Sequence, residues 1–143
     1  MEFHTEGLRW ELNVIYRQTE SLPTNLYVAI VKDTTIAENA VMADLTELTS
    51  GEAPGYARQP IVCNSGNWTE AGTGTNDRKI SSSAVTFTAS GGNWPNGYKA
   101  VLTTTLTGTT GPLIASGDLN AGSPVAPTDG QSFDVDFELT KTG

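Results

Sequence analysis

The chain has 143 residues, with 8 basic and 16 acidic side chains, and its net charge is −8 at pH 7. This length suits one compact domain. Binding to nucleic acid through phosphate neutralisation requires clustered Lys and Arg, whereas here the eight are scattered. No apolar run is long enough to predict a membrane span, and the first residues do not resemble a signal peptide. We therefore expect neither a nucleic-acid nor a membrane partner.

The chain contains one histidine, His4, and one cysteine, Cys63. A single cysteine excludes an intrachain disulfide and cannot by itself make a cysteine-based metal site. We interpret Cys63 as a small buried hydrophobic residue, and we expect His4 to lie in a mobile terminus. These counts argue against a histidine-dependent catalytic triad and predict no cofactor or metal.

Residues 8–19 predict the one helix of the chain. Their apolar face recurs at helical spacing, and it consists of Leu8, Leu12, Ile15 and Thr19. Thr5 suits the N-cap position, and Pro23 prevents continuation. Two interpretations remain open: the helix packs on the sheet of its own domain, or it is an arm that docks on a neighbouring subunit. We accordingly divide the chain into an N-terminal arm with its helix, 1–22, and a single β-sandwich domain, 23–143.

Short β-branched segments separated by Gly, Pro and Asn fill the rest of the chain. The predicted strands are 26–31, 57–62, 68–70, 78–82, 85–89, 98–105, 113–116 and 132–140. The first is an apolar run typical of a fully buried strand, and Pro60 favours an edge position for the second. A loop with one short helical turn at 42–48 and a surface hairpin at 72–76 are also expected.

The last predicted strand alternates between apolar and polar residues, which places its two sets of side chains on opposite faces. Phe133, Val135, Phe137 and Leu139 are expected in the core, and Asp134, Asp136 and Glu138 in solvent. Strands at roughly ten-residue spacing indicate an all-β protein. We predict an antiparallel β-sandwich, jelly-roll-like, with one N-terminal helix.

Acidic residues offer the only candidates for catalysis or cation binding. Asp134, Asp136 and Glu138 share one strand face, which favours a solvated surface over a Ca²⁺ site, because Ca²⁺ ligands normally come from a curved loop. Asp118 and Asp129 are candidates for a glycosidase pair, but nothing in the sequence identifies them as one. We find no nucleophile with a base, and we predict that the protein is not an enzyme.

Aromatic residues are the best candidates for partner contacts. Exposed aromatic rings anchor protein interfaces and stack on sugars, although packing in the core is their commoner role. Trp10 lies off the main apolar face of the helix, beside Val14, and Trp68 and Trp94 border loops rich in Gly and Asn. The predicted partner-binding residues are Trp10, Tyr16, Trp68 and Trp94.

Several short motifs between residues 26 and 139 resemble those of small tailed-bacteriophage virion structural proteins. An opening strand, residues 26–30, is followed by Gly-Tyr-Ala-Arg-Gln at 55–59. Further matches follow at 85–89 with Trp94, at 113–115 and at 129–133. The central strand at 99–105 is less apolar than in that family, and the helix at 8–19 lies outside the pattern.

The resemblance implies an all-β virion component without catalytic activity. We expect a cement or decoration protein that binds the outer capsid between capsomers and stabilises the shell. Its partners would be the major capsid protein and further copies of itself, as a dimer or trimer. It would be made in the host cytoplasm and reside on the capsid exterior. The alternative is a tail-fibre or receptor-binding module that recognises a host surface glycan.

Overall fold

A computed structural model describes residues 2–72 and 77–142. The protein is mostly β, in antiparallel sheets, with one N-terminal helix, α1, at Thr5–Leu12. This helix continues into a π-helical turn at Asn13–Arg17, and a 3-10 turn lies at Met42–Asp44. The strands are β1 Glu2–Phe3, β2 Asn25–Val31, β3 Gln59–Val62, β4 Trp68–Gly72, β5 Asp77–Ser82, β6 Val85–Thr88, β7 Lys99–Thr103, β8 Ala115–Asp118, β9 Ser132–Val135 and β10 Glu138–Thr142.

The largest sheet has five strands in the order β1-β8-β7-β2-β3. Strand β2 lies between β7 and β3, and its residues Val28–Val31 are buried on both faces, as its apolar run predicted. Val28 and Ile30 face the main core, whereas Ala29 and Val31 face a smaller cluster built around Met42. Strand β3 forms an edge of the sheet, so the edge position predicted from Pro60 is confirmed.

Strand β7 is buried along residues 100–103, including the polar Thr103. It pairs with β2 on one side and with β8 on the other. Its position between β2 and β8 therefore buries this strand, although the sequence at 99–105 is only partly apolar.

The prediction of one continuous final strand is wrong, because β9 and β10 belong to different sheets. Strand β9 pairs with β6 in a two-stranded sheet, and β10 pairs with β5 in a three-stranded sheet of order β10-β5-β4. Between the two pairings, Ser83 and Ala84 oppose the single residue Asp136. Such a β-bulge bends a strand. The Ser82 hydroxyl accepts a hydrogen bond from the Phe137 amide, 2.9 Å, at this bend.

The alternation predicted for this segment is nevertheless confirmed. Val135, Phe137 and Leu139 are buried, whereas Asp134 and its acidic neighbours are exposed. The bulge changes the pairing partner without moving the apolar side chains out of the core.

The Gly-Tyr-Ala-Arg-Gln motif has a structural role around a buried ion pair. Arg58 lies 2.6 Å from Glu47, and it donates to the carbonyl oxygens of Thr105 at 2.8 Å and Gly108 at 2.7 Å. The Tyr56 hydroxyl donates to Glu47 at 2.7 Å and accepts from the Ile30 amide at 3.0 Å. Burial, with the Glu47 carboxylate nearby, raises the pKa of Tyr56 above its ordinary value. These contacts tie β2, the motif and the 105–108 loop together.

The helical turn predicted within 42–48 is confirmed at Met42–Asp44. The predicted hairpin at 72–76 lies for the most part outside the described residues.

Candidate functional site

The N-terminal segment is anchored to the body of the protein, contrary to the mobile terminus expected for His4. Strand β1 pairs with β8, and the His4 amide donates to Ile114, 2.9 Å. The His4 ring is buried, with Nε2 2.7 Å from the Ser116 hydroxyl. The Glu6 carboxylate accepts from the Leu113 amide, 2.7 Å. Residues 2–7 are therefore attached to the five-stranded sheet by strand pairing and hydrogen bonds.

Gly7 determines how closely the helix approaches the sheet. A Cβ at this position would lie 2.5 Å from the backbone oxygen of Ile114 and 2.6 Å from its Cα. Only glycine fits there without a shift of backbone. The face of α1 that carries Gly7 is consequently pressed against the sheet.

The helix packs through a different face from the one that its apolar residues suggest. Trp10 packs against the main core, while Leu8, Leu12 and Ile15 are exposed at 41%, 55% and 54%. The interpretation that the helix packs on the sheet of its own domain is confirmed, although Gly7 and Trp10 make the contact and the apolar face does not. The Trp10 ring is partly buried beside the sheet, and its role as a partner contact stays a prediction. The apolar periodicity correctly found one face, but the close approach of Gly7 reserves the other for the core.

Beyond α1 the chain is largely exposed until β2 begins at Asn25. The π-helical turn ends at Gln18, whose φ of 52° lies in the left-handed region and reverses the chain. Tyr16 and Leu22 are exposed at 76% and 83%. We name the four residues Leu12, Ile15, Tyr16 and Leu22 the arm tip.

An open cavity of about 730 Å³ lies between α1, the five-stranded sheet and the three-stranded sheet. Its volume falls within the range of ligand-binding pockets, roughly 300–1,000 Å³. Both Trp10 and Trp68 line it, so two of the predicted contact residues share one site. Its other apolar lining residues are Phe3, Leu26, Ile80, Leu102, Ile114 and Leu139. We name this space the inter-sheet cavity.

Polar and charged side chains at the inter-sheet cavity are already partly paired. Glu11 forms an ion pair with Lys141, whose ammonium also lies 5.3 Å from the centre of the Phe3 ring. Glu70 lies 3.7 Å from Arg78, and both of these side chains are largely exposed. The remaining polar lining residues are Asn64, Ser65 and Thr69. The cavity is thus apolar inside, with neutral and acidic groups beside it.

Cys63 also lines the inter-sheet cavity and is exposed, contrary to the buried position that we expected. It follows the edge strand β3, where the apolar Ile61-Val62 pattern ends. Partial burial raises the pKa of its thiol. This favours the neutral thiol, which is a poor nucleophile.

Trp94 lies in the core rather than on a contact surface. Its ring nitrogen donates to the Pro54 carbonyl, 2.7 Å, and its ring packs edge-on against Tyr56, with centroids 5.6 Å apart. The surrounding Gly and Asn residues suggested an exposed loop. They instead form turns around the buried indole.

Four of the five acidic residues proposed as candidates from the sequence have structural partners, and the fifth, Asp136, is exposed. Asp118 accepts from Lys99 at 2.6 Å, and Asp129 accepts from the Gly91 amide at 2.8 Å. Asp134 accepts from Thr86 at 2.5 Å, and Glu138 pairs with Lys79 at 3.0 Å. Across residues 2–72 and 77–142, no group of three or more His, Cys, Asp or Glu side chains is placed to hold a metal ion.

The sequence matches no protein-family model and no curated protein. Among the described parts of the chain, no helix is long and apolar enough to cross a membrane. The arm tip and the inter-sheet cavity lie open to a partner. Both present apolar surface, which suits them to binding.

Proposed function

We propose that this protein is a non-enzymatic virion structural protein that cements or decorates the outside of a phage capsid. The observation that carries the proposal is the arm tip, an apolar surface that the chain holds away from its own core. Monomeric proteins rarely expose contiguous apolar patches larger than a few hundred Å² unless the patch binds something. A subunit of an assembly buries such a surface against its neighbours.

The anchoring of residues 2–7 supports the same role. Strand β1, His4 and Gly7 attach α1 to the sheet, so the helix that leads to the arm tip is held in a fixed position. A rigid binding element loses less conformational entropy on association than a flexible one. Repeated over many copies on a shell, modest contacts add up through avidity.

Within this proposal, the three antiparallel sheets form a sandwich of the jelly-roll type. Buried side chains from all three sheets meet in one core cluster, which supports layered packing. The negative net charge keeps such a protein soluble and away from DNA.

Labelling intact virions with an antibody against the protein, followed by electron microscopy, tests the location. We expect label over the capsid exterior. Purified shells of the major capsid protein should also bind the added chain and resist heat better with it. Label restricted to tails, or shells that neither bind the chain nor gain stability, would contradict the proposal.

A glycan-binding tail-fibre module is a second candidate, favoured by one observation. Trp10 and Trp68 line the same open cavity together with Asn64, Ser65 and Thr69, and aromatic faces beside hydrogen-bonding groups suit a sugar ring. A glycan array probed with the wild-type chain tests this alternative. Binding that is lost in Trp68→Ala would favour it, and an array without signal would count against it.

A further inference from the structure

We infer that the arm tip of one copy inserts into the inter-sheet cavity of a second copy of this chain. This inference deepens the proposed function, on which it rests, by naming the first neighbour of the arm. One chain carries both surfaces that such a contact needs: a group of exposed apolar side chains and an open apolar cavity.

The two halves cannot meet within one molecule. Trp10 and Glu11 form part of the cavity wall, and Leu12, the first residue of the arm tip, follows them directly on another face of the same helix. Because Gly7 holds this helix against Ile114, it cannot turn its outer face toward the cavity. A tip can therefore enter only the cavity of another molecule.

The size of the two surfaces agrees with a contact between copies. The arm tip exposes on the order of 500 Å² of apolar side chain, counting a tyrosine at about 200 Å². A standard interface buries about 800 Å² on each partner. The tip therefore supplies most of one side, and the polar residues around it supply the rest.

Charge does not oppose the contact. Arg17 and Glu20 offset each other within residues 12–22, which carry the arm tip. The two carboxylates that line the cavity already have basic partners, Glu11 with Lys141 and Glu70 with Arg78. The tip would therefore enter the cavity mainly through its apolar side chains.

The contact would be head-to-tail, since tip and cavity are different surfaces of the chain. Each bound copy still presents one free tip or one free cavity, so further copies add in the same direction. Such heterologous contacts make rings where the rotation closes.

Sedimentation analysis of the full chain over a range of concentrations tests the inference. The tip variant carries Tyr16→Ser and Leu22→Ser, two changes at highly exposed side chains. One cavity variant, Ser65→Trp, fills the cavity from an exposed loop residue, and a second, Ile80→Ser, removes part of its apolar wall. Leu106→Ser is the control, because Leu106 is 54% exposed, as is Ile15, but lines no part of the cavity.

We expect reversible self-association of the wild type, with a dissociation constant raised about 30-fold in the tip variant and in each cavity variant, as for loss of an interface anchor. The control should behave as the wild type does. Circular dichroism establishes that each variant is folded. One cavity variant fills the cavity and the other removes part of its apolar wall, so the conclusion does not depend on a single kind of substitution.

Mixing the variants gives the decisive result. The tip variant has an intact cavity, and the Ser65→Trp variant has an intact tip, so an equimolar mixture should form one-to-one dimers that grow no further. Cys63 provides a second readout, since its thiol should react more slowly in the assembled wild type than in the tip variant.

A wild type that stays monomeric at its highest soluble concentration would overturn the inference. So would a mixture of variants without dimers, since a tip-to-tip contact gives that result. The proposed function is tested separately by binding to capsid shells. A monomeric chain that binds shells would refute only the inference, and an associating chain that ignores shells would refute only the proposed function.

Discussion

The centre of the core and the arm tip use the same kinds of residue in opposite ways. Around Tyr56, each aromatic ring packs on another, and Trp94 also satisfies its ring nitrogen on the Pro54 carbonyl. At the arm tip, Tyr16 and Leu22 are almost fully exposed. The comparison shows that an aromatic or apolar residue in the sequence does not by itself tell whether the fold buries or exposes its side chain.

The largest expected effect is on the buried ion pair beside this core. Glu47→Ala leaves Arg58, whose side chain is 3% exposed, without its carboxylate partner. Removing one member of a fully buried pair costs about 3–5 kcal/mol. Because the Glu47 side chain is 24% exposed, we expect a loss at the lower end of that range. Urea unfolding measures the loss, and Glu52→Ala, at a partly exposed pair with Lys32, is the matched control. Similar losses in the two variants would contradict the structural role given to Arg58.

Removal of the buried indole should have the next largest effect. Trp94→Phe loses the hydrogen bond to Pro54 and leaves space beside Tyr56. We expect a loss of about 1–3 kcal/mol in the free energy of unfolding, from the lost hydrogen bond and the cavity left by the smaller ring. The Pro54 carbonyl keeps its hydrogen bond from the Ser90 amide, 3.1 Å. The comparable change at the other region, Tyr16→Ser, should alter stability by less than about 0.5 kcal/mol. Equal losses would remove the contrast between core and tip.

A substitution at Gly7, where α1 meets the sheet, should have an effect between those of the core and the arm tip. Gly7→Ala forces a methyl group against the Ile114 backbone and should cost about 1–3 kcal/mol as an overpacked contact. Since the helix must move, amide hydrogen exchange of α1 should accelerate more than that of β2. Unchanged protection of α1 would show that Gly7 does not set the position of the helix.

The smallest expected effect is the pH dependence of the stability that the Lys32–Glu52 ion pair contributes. The hydrogen bond from Lys32 lowers the pKa of Glu52 below its unfolded value. The pair therefore stabilises the fold above the unfolded pKa, and this contribution is lost as the pH falls through the lower folded pKa. Lys32→Met should reduce stability slightly at neutral pH and leave it unchanged in acid, where Glu52 is protonated. Equal losses in urea unfolding at both pH values would show that the lysine acts through packing.

The sequence predicts the elements of the fold better than their partners. The alternation from Phe133 to Leu139 correctly gives the buried face, because that pattern depends only on local geometry. The division into β9 and β10 depends on a bulge opposite Asp136, which no local pattern reveals.

The candidate site shows the same limit. The apolar helix face was found from its spacing, but its outward orientation follows from Gly7 meeting Ile114, a contact distant in sequence. The inter-sheet cavity joins Leu26, Ile80 and Leu139 from different sheets. Only Trp10 and Trp68 gave a sign of it, through the general tendency of tryptophan to bind partners.

An electron cryomicroscopy map of the intact virion tests the central claim most directly. The account predicts this chain on the capsid exterior, with Tyr16 and Leu22 buried against a neighbouring protein. A map in which both side chains face solvent, or in which the chain occupies no place on the shell, would contradict it.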